Sequence, residues 1–431
     1  MASTPDTADA PTGPVINLFD PELQQCPYAA YKTLRDEAPV YNIPGTPIWV
    51  VSRYEHVREV LMDPERFPST AANELMRASP TDLERGRKVA ARFREKGWLP
   101  APTLAGRDDP NHKQMRSMFN EAFKPSRIKE IDPRVETLAY ELIDAFIDEG
   151  ECDWVRQFCI PLPLFIIGEQ MGAKREDMWK IKGWTDAFFH RISLMLPEDK
   201  HLEMVDREIE AQHYFQPIFE KLRAEPDGSL ISVLVNTVIE GWGRTLTDEE
   251  LHAEMMADTF VGGSETTTNA LAAGMKLLIE NKDVWARLKA DPERYLRNFV
   301  EEVLRLESPV QSLMRFTHKD VELAGVTIPA GSVVNVRYGA ANRDERMFPC
   351  PDTLDLDRPK PGAHLAFGSG THHCLGAPLA RRELTWGFKA VIDRFEDMDF
   401  APGKNDFVYH PHFLLRSLKQ LHITFVPKKR R

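Results

Sequence analysis

The stretch FGSGTHHCLG at residues 367–376 places one of only five cysteines among glycines, small polar residues and two histidines. A helix is predicted directly behind it, because Pro378 suits a first helical turn and apolar side chains recur on one face. Those side chains are Leu384, Phe388, Val391 and Phe395. A cysteine at a helix N-terminus is expected to have a lowered pKa, since unpaired backbone N–H groups and the helix dipole favour the thiolate. The stretch is therefore suited to holding a thiolate.

The chemistry of Cys374 has three interpretations from this stretch alone. As a nucleophile it would need a base, which His372 or His373 could supply. As a ligand of a single metal ion it would need more close partners than two histidines, unless a porphyrin provides the others. The third interpretation is an inert cysteine in front of a capped helix.

A second unusual stretch lies inside a long predicted helix. Thr247 and Glu250 have the spacing of a capping box at its start, and the apolar pattern then continues for about 30 residues. Its middle reads GGSETT at 262–267, although two adjacent glycines cost about 1 kcal/mol each relative to alanine. Glu265 beside Thr266 pairs an acid with an alcohol, which is suitable for proton transfer. The same residues would also serve as an ordinary solvated face.

Composition and charge exclude several classes of protein. The chain has 431 residues and a net charge of −11 at pH 7, which argues against a general nucleic-acid binder. Its five cysteines show no C-x-x-C spacing, which argues against a disulfide framework or a zinc ribbon and favours a reducing, cytoplasmic compartment. No run of about 18 apolar residues occurs and the N-terminus does not resemble a signal peptide, so we expect no membrane anchor.

The order of the predicted elements indicates a mainly α protein with a small β-rich lobe. Alternating residues in VYNIP and PIWVVSRY, within 40–54, favour early strands, and residues 125–310 are mostly helical. Residues 321–338 are predicted to form strands separated by turns, and 413–425 to form a hairpin. Residues 1–14 are expected to be a disordered arm.

The cysteine stretch resembles the haem-binding signature of the cytochrome P-450 family, Phe-Gly-x-Gly-x-His/Arg-x-Cys-x-Gly, at all six specified positions. The resemblance covers most of the chain in the expected order. GGSETT is similar to the family's oxygen-activation motif, and HKQMR at 112–116 to its early haem-contacting helix. Glu302 and Arg305 match the Glu-x-x-Arg pair, and LDLDRP contains Arg358, which resembles the arginine that joins this pair.

The resemblance implies a role for each matched residue. Cys374 would be the axial thiolate ligand of haem b, iron protoporphyrin IX, and Phe367 would shield its sulfur from water. Glu265 and Thr266 would deliver protons during oxygen activation. The residues implied to bind the haem propionates are His112, Arg116, Arg315 and His372.

The pair Glu302 and Arg305 shows where periodicity and resemblance disagree. By helical periodicity both lie opposite the apolar stripe, as an exposed pair worth a few tenths of a kcal/mol. The resemblance implies instead that this face is covered by the loop carrying Arg358. All three residues are then expected to have a structural role, supporting the cysteine loop.

The implied fold is the P-450 fold, with residues 15–431 as a single haem-thiolate monooxygenase domain. The implied reaction inserts one oxygen atom from O2 into a lipophilic small molecule, commonly by C–H hydroxylation. Electrons would come from a [2Fe–2S] ferredoxin and an NAD(P)H-dependent reductase. Two alternatives remain, a peroxide-using or isomerising member of the same fold and a non-catalytic haem-binding sensor. The intact Glu265 and Thr266 pair argues against peroxide use.

Two surfaces are predicted for binding partners. Arg116, Arg381 and Arg382 stand out against the acidic background and are expected to dock the ferredoxin, unless the last two pair with acids such as Glu383. The apolar stretches expected to line the substrate cavity are 188–195, 310–314 and 413–415.

Overall fold

The computed structural model describes residues 14–70 and 80–428, so the predicted disordered arm lies almost entirely outside the described residues. The described chain is mainly helical, with its strands in three small sheets, as predicted. The α-helices of the N-terminal half are Pro21–Gln25, Tyr28–Glu37, Tyr54–Met62, Pro80–Lys96, Asn111–Ala122, Pro125–Asp144, Pro161–Gln170, Met178–Arg191 and His201–Ala224. Those that follow are Leu230–Asn236, Asp248–Glu254, Thr266–Glu280, Lys282–Ala290, Pro292–Glu307, Tyr338–Ala341 and Ala377–Arg394.

The strands confirm most of the predicted β-structure. In chain order they are β1 (Val40–Asn42), β2 (Ile48–Val51), β3 (Glu151–Asp153), β4 (Leu313–Phe316), β5 (Val321–Leu323), β6 (Val326–Ile328), β7 (Val333–Val336), β8 (Phe395–Phe400) and β9 (His422–Pro427). The first sheet has the order β1-β2-β7-β4, with β2 and β7 parallel and the other pairs antiparallel. β5 and β6 form the hairpin expected within 321–338.

The predicted hairpin at 413–425 is wrong. Only β9 of this stretch is a strand, and it lies between β3 and β8 in the second sheet. The physical reason is burial, because the ring of Phe425 stacks on that of Phe395 at 4.3 Å and so requires β8 as the partner. The residues before β9 form a loop closed by an isolated bridge between Tyr409 and Leu418.

The central helix runs from Asp248 to Glu280 without a break, close to the predicted end. Its capping box is present, since Thr247 accepts from the N–H of Glu250 and the Glu250 carboxylate accepts from the N–H of Thr247. The middle segment, Met255–Glu265, has the wider π-helical turn. The glycines of GGSETT therefore belong to a locally unwound segment, a feature that often marks a functional site.

The helix behind the cysteine, Ala377–Arg394, has Gly376 as its N-cap residue and packs between several other helices. Against the central helix the fit is close, because a Cβ on Gly274 would lie 2.3 Å from the ring of Phe388. On its other sides it packs against Pro125–Asp144 and Pro292–Glu307. None of the described helices has both the length and the apolar character needed to cross a bilayer.

Candidate active site

The cysteine loop has a backbone shape that requires glycine. Gly368 and Gly370 have φ angles of +67° and +69°, a region that other residues seldom adopt. A Cβ on Gly370 would also lie 2.6 Å from the carbonyl oxygen of Leu61, at the end of the helix Tyr54–Met62. Within the loop the N–H of Cys374 donates to the carbonyl oxygen of Phe367 at 2.9 Å. These contacts hold the sulfur in a defined place in front of its helix.

The expected lowering of the Cys374 pKa is opposed by burial. Cys374 as a residue is exposed, but protein atoms surround its sulfur. The resulting loss of hydration raises the pKa of the thiol. The N–H groups of Gly376 and Ala377 and the charges of Arg116 and Arg381 act in the opposite direction but are outweighed. The helix N-terminus therefore does not by itself outweigh the burial of this sulfur, whereas a bound metal ion would favour the thiolate.

Phe367, at the start of the loop, lies against the main hydrophobic core and is partly buried. Its ring faces the guanidinium of Arg381 at 4.5 Å and the ring of His364 at 6.0 Å. Its shielding of the sulfur stays a prediction.

Two predicted propionate partners, His112 and His372, lie together, with ring centroids 4.1 Å apart. His112 is 1% exposed, and neither of its ring nitrogens has a hydrogen-bond partner within the described chain. Its nearest carboxylate, that of Asp109, is 3.6 Å away and half exposed. Among the described residues His372 makes one hydrogen bond, between its Nε2 and the hydroxyl of Ser69 at 3.2 Å. A buried imidazole without partners indicates a site for an external acceptor.

The two predicted arginines border the same place. Arg315 is 5% exposed and donates to the carbonyl of Met314 at 2.9 Å, with no carboxylate partner among the described residues. Arg116 donates to the carbonyl of His373 at 2.7 Å. Burial, together with the charge of Arg315 and the neighbouring His112, lowers the pKa of His372 to about 3. This basic cluster is therefore short of anionic partners, which fits the two propionates of a haem.

The Glu-x-x-Arg pair is buried, as the resemblance implied and periodicity alone did not. Glu302 and Arg305 are both 0% exposed and lie 2.6 Å apart, and Nε of Arg358 donates to the same carboxylate oxygen at 2.8 Å. Arg305 also donates to the carbonyls of Asn342 and Pro351, at 3.0 and 2.6 Å. The polar face is thus covered by backbone carbonyls from the segment that leads to the cysteine loop.

That segment is connected directly to the cysteine stretch. The side chain of Asn342 accepts from the N–H of Leu365 at 2.6 Å, just before the loop begins. The ion pairs around Glu302 are thus linked to the start of the cysteine stretch through Asn342, and their support of the loop stays a prediction.

The predicted acid and alcohol of the central helix point to different partners. The carboxylate of Glu265, which is 4% exposed, accepts from Nζ of Lys182 at 3.0 Å and from the hydroxyl of Thr185 at 3.2 Å. The hydroxyl of Thr266 donates to the carbonyl of Gly262 at 2.8 Å. No hydrogen bond joins these two side chains in the described structure. Their role as a proton relay stays a prediction.

Lys182 was missed by sequence reasoning. Burial lowers its pKa, but the charges of Glu265 and Asp186 outweigh this effect and place the pKa above its ordinary value. The ammonium group thus links the buried Glu265 to Asp186, whose side chain is 45% exposed. The only signal in the sequence is the i,i+4 spacing of Lys182 and Asp186, which is typical of any exposed helical pair.

The predicted docking arginines are paired, but not with Glu383. Arg381 donates to Glu301 at 2.6 Å and Arg382 to Asp132 at 2.5 Å. Glu383 is buried on the opposite side of the helix. The acids responsible lie 80 and 250 residues away in the chain, so local sequence could not identify them.

The three predicted wall segments come together. Val310 forms a bridge with Leu415, and the N–H of Phe413 donates to the carbonyl of Ser193 at 3.1 Å. Leu313, in the same region, is 41% exposed although apolar. The segments therefore form one apolar region, and their contact with a substrate stays a prediction.

Comparison with known proteins shows the class. The family model for cytochrome P450 matches residues 15–420. The vitamin D(3) 25-hydroxylase of Pseudonocardia autotrophica is 32% identical over 96% of this chain and 97% of its own. The cytochrome P450 monooxygenase PikC of Streptomyces venezuelae is 34% identical over 95% of this chain and 94% of its own.

Solved structures show the same fold. The structure of P450BioI in complex with an acyl carrier protein ligated to hexadec-9Z-enoic acid has a TM-score of 0.82 and 29% identity, over 94% of this chain and 99% of that one. CYP109E1 of Bacillus megaterium in complex with testosterone has a TM-score of 0.76 and 32% identity, over 92% of this chain and 99% of that one. The architecture is thus that of a haem-thiolate enzyme.

The chain belongs to the cytochrome P450 family. It is a P450-type monooxygenase, an oxidoreductase that incorporates molecular oxygen and uses a haem-thiolate cofactor.

Proposed function

We propose that residues 15–431 form a single domain that inserts one oxygen atom from O2 into a C–H bond of a lipophilic small molecule. The proposed cofactor is haem b with Cys374 as its axial ligand. The observation that carries this is a basic cluster beside Cys374, in which both ring nitrogens of His112 lack a hydrogen-bond partner among the described residues. Bound haem would supply oxygen chemistry that no side chain of this chain can perform.

The protein's own residues would position the cofactor. His112, Arg116, Arg315 and His372 would bind the two propionates by charge-assisted hydrogen bonds. Phe367 would exclude water from the sulfur. Glu302, with its two arginines, would keep the loop in place through the Asn342 to Leu365 hydrogen bond.

Protons would reach the site along the central helix. Asp186 is in contact with solvent, Lys182 lies between it and Glu265, and Thr266 follows directly in the chain. We place the transferable proton at the Glu265 carboxylate once it is released from Lys182, and at Oγ1 of Thr266, which is now held by the carbonyl of Gly262. A side-chain movement at Glu265 is therefore part of the proposal.

For the substrate we propose a compound of steroid or secosteroid size. The support is the apolar region around Leu313, Val310 and Leu415, together with the relatives named as vitamin D(3) 25-hydroxylase and steroid C26-monooxygenase. A screen of steroids, terpenoids and fatty acids for a low-spin to high-spin shift tests this choice.

For electrons we propose a [2Fe–2S] ferredoxin and an NAD(P)H-dependent reductase. The proposed setting is the reducing cytoplasm, as expected from the number and spacing of the cysteines. Product formation from NAD(P)H only when a ferredoxin system is present would separate this function from peroxide use, isomerisation and simple haem sensing.

The test of the thiolate is the absorption spectrum of the reduced, CO-bound protein. Cys374→Ser should lose the thiolate-type spectrum, because a serine alkoxide is a poor axial ligand at neutral pH. Cys26→Ser, at another exposed cysteine, is the matched control and should keep it. Retention of the spectrum in Cys374→Ser would show that the assignment is wrong.

A further inference from the structure

Arg337 is a buried cation without an anionic partner. It follows β7 directly, is 2% exposed, and its Nη1 donates to the carbonyl of Phe413 at 2.9 Å. Its Nε and Nη2 have no hydrogen-bond partner within the described residues. The guanidinium faces the rings of Phe413 at 4.5 Å and Tyr31 at 5.6 Å. Contacts with aromatic rings offset only part of the free-energy cost of removing a charged group from water.

The acid that pairs with Arg416, on the wall of the same cavity, is already shared. Glu307 accepts from Arg416 at 3.1 Å and pairs with Arg343 at 3.3 Å. Arg416 borders the same cavity as Arg337, so this region contains more arginines than carboxylates. A buried charge is normally paired, so two free donors on Arg337 indicate an absent anion.

There is room for such an anion beside Arg337. The guanidinium lines a cavity together with Tyr31, Gln311, His410 and Phe413, contributed by separate parts of the chain. The free space in this cavity exceeds what one water molecule needs. This is enough for one small ion or one carboxylate group.

We propose that this cavity binds a small monovalent anion, either a halide ion or the carboxylate of an organic acid, through Nε and Nη2 of Arg337. Tyr31 forms one wall of the site, where its hydroxyl donates to Oε1 of Gln311 at 3.1 Å and its ring faces the guanidinium. The anion would also stiffen the 413–415 segment, since the same guanidinium holds the carbonyl of Phe413. The site contains none of the residues proposed to bind haem, but it shares Phe413 and Leu415 with the apolar region proposed for the substrate.

Thermal unfolding of the haem-loaded protein tests the site. Bromide, formate and acetate are each titrated against the bulky sulfonate MOPS at constant ionic strength. A fitting anion should raise the Tm by about 1 to 3 °C with saturation, because it binds only the folded state. Arg337→Gln should show no such rise. Arg394→Gln, which removes an exposed arginine paired with Asp144, should behave as wild type.

The set of salts that raise the Tm identifies the kind of anion that binds. A rise with bromide assigns a halide, and a rise with formate or acetate alone assigns a carboxylate. Equal Tm values in all salts, or the same rise in Arg337→Gln, would overturn the proposal.

Crystals of the wild type give a result that does not depend on folding of the variant. After a bromide soak we expect an anomalous peak within hydrogen-bond distance of Nε and Nη2 of Arg337, or after a formate soak a planar carboxylate there. An ordered water in both soaks, with neither anion, would overturn the proposal.

Discussion

Glu383 is a carboxyl group kept in an apolar place. It lies on the helix Ala377–Arg394, is 1% exposed, and neither of its oxygens has a conventional partner in the described structure. Burial raises its pKa to about 8, and a contact with Thr267 of the central helix reduces the effect. Near neutral pH this side chain is therefore mostly protonated.

The charge state of Glu383 predicts a pH dependence of stability. The carboxyl group has a pKa of 4.5 when unperturbed and about 8 in the folded protein. Between these values the unfolded chain has lost the proton that the folded chain keeps. Its contribution to stability therefore falls as pH rises, by at most ~1.4 kcal/mol per pH unit. Relative to wild type, Glu383→Gln should gain stability from pH 5 to 8.

Urea unfolding at several pH values in this window measures that difference. Glu37→Gln, at an exposed carboxylate, is the control and should follow the wild-type curve. A difference between Glu383→Gln and wild type that stays constant from pH 5 to 8 would show that Glu383 is ionised throughout.

Thr266 lends itself to a second test at the scale of one residue. Thr266→Ala should bind haem and substrate nearly as wild type but convert less of the NADH consumed into product and more into peroxide. The reason is the loss of the hydroxyl proton at this position. Thr33→Ala is a matched control, since Thr33 makes the same hydrogen bond one turn back, to Ala29. Unchanged product per NADH in Thr266→Ala would contradict the relay.

At the scale of elements, the buried ion pairs join one helix to a long irregular segment. The helix Pro292–Glu307 contributes Glu302 and Arg305, and the segment contributes Arg358. A second carboxylate oxygen of Glu302 accepts from the N–H of Asp355 at 3.0 Å. Removing one partner from such a group leaves uncompensated buried charge, which is the costly case.

Glu302→Gln should therefore destabilise the protein by about 3–5 kcal/mol, because it leaves Arg305 and Arg358 without their carboxylate. The loss should reach the cysteine loop, so purified protein should also contain less haem per chain. Urea unfolding and the ratio of haem to protein absorbance measure the two effects. Glu293→Gln, on the exposed side of the same helix, should change neither. Full haem content with normal stability would mean that the pairs are dispensable.

At the scale of the whole molecule, the proposed electron-entry surface is less charged than its sequence suggests. Arg381 and Arg382 are neutralised by Glu301 and Asp132. Arg116, by contrast, contacts the carbonyl of His373. The field that would attract an acidic ferredoxin is accordingly short-ranged.

Arg382→Glu is the sharper form of the docking test, because it leaves Asp132 exposed without its partner. Reduction by ferredoxin should slow several-fold at low salt and lose part of its salt dependence. Arg394→Glu makes the same change about 18 Å away, at the other end of the helix, and should have little effect. Dithionite reduction should be equal in all three proteins. Equal ferredoxin rates across a salt series would exclude this site.

Much of the fold follows from local patterns, and most of the remainder depends on distant contacts. The capping box of the central helix and the strands β5 and β6 were predictable because their partners are close in sequence. The burial of Glu302 was not predictable from periodicity, since the carbonyls that cover that face come from residues about 40 to 50 positions further on. The 413–425 hairpin failed for the same reason, because β8 decides the pairing of β9.

In the candidate active site, too, local sequence predicted some residues, and others depend on contacts between distant parts of the chain. The cysteine stretch and the order of the motifs identified the haem side from sequence alone. Lys182 and Glu265 are 83 residues apart, and nothing in either neighbourhood predicts their contact. Arg337 follows an ordinary apolar strand sequence. That its Nε and Nη2 lack a partner among the described residues is seen only from the structure of the surrounding cavity.

The contacts that hold the loop before β9 are separate from the cysteine loop, which would bind the haem iron. His412 holds it to the carbonyl of Phe189 and to the N–H groups of Leu414 and Leu415, and Leu415 bridges to Val310. None of these contacts involves residues 365–376. For directed evolution, residues 413–415 thus form a short segment that can be varied separately from the cysteine loop. A library limited to these codons would vary the apolar wall while leaving the scaffold on the iron side unaltered.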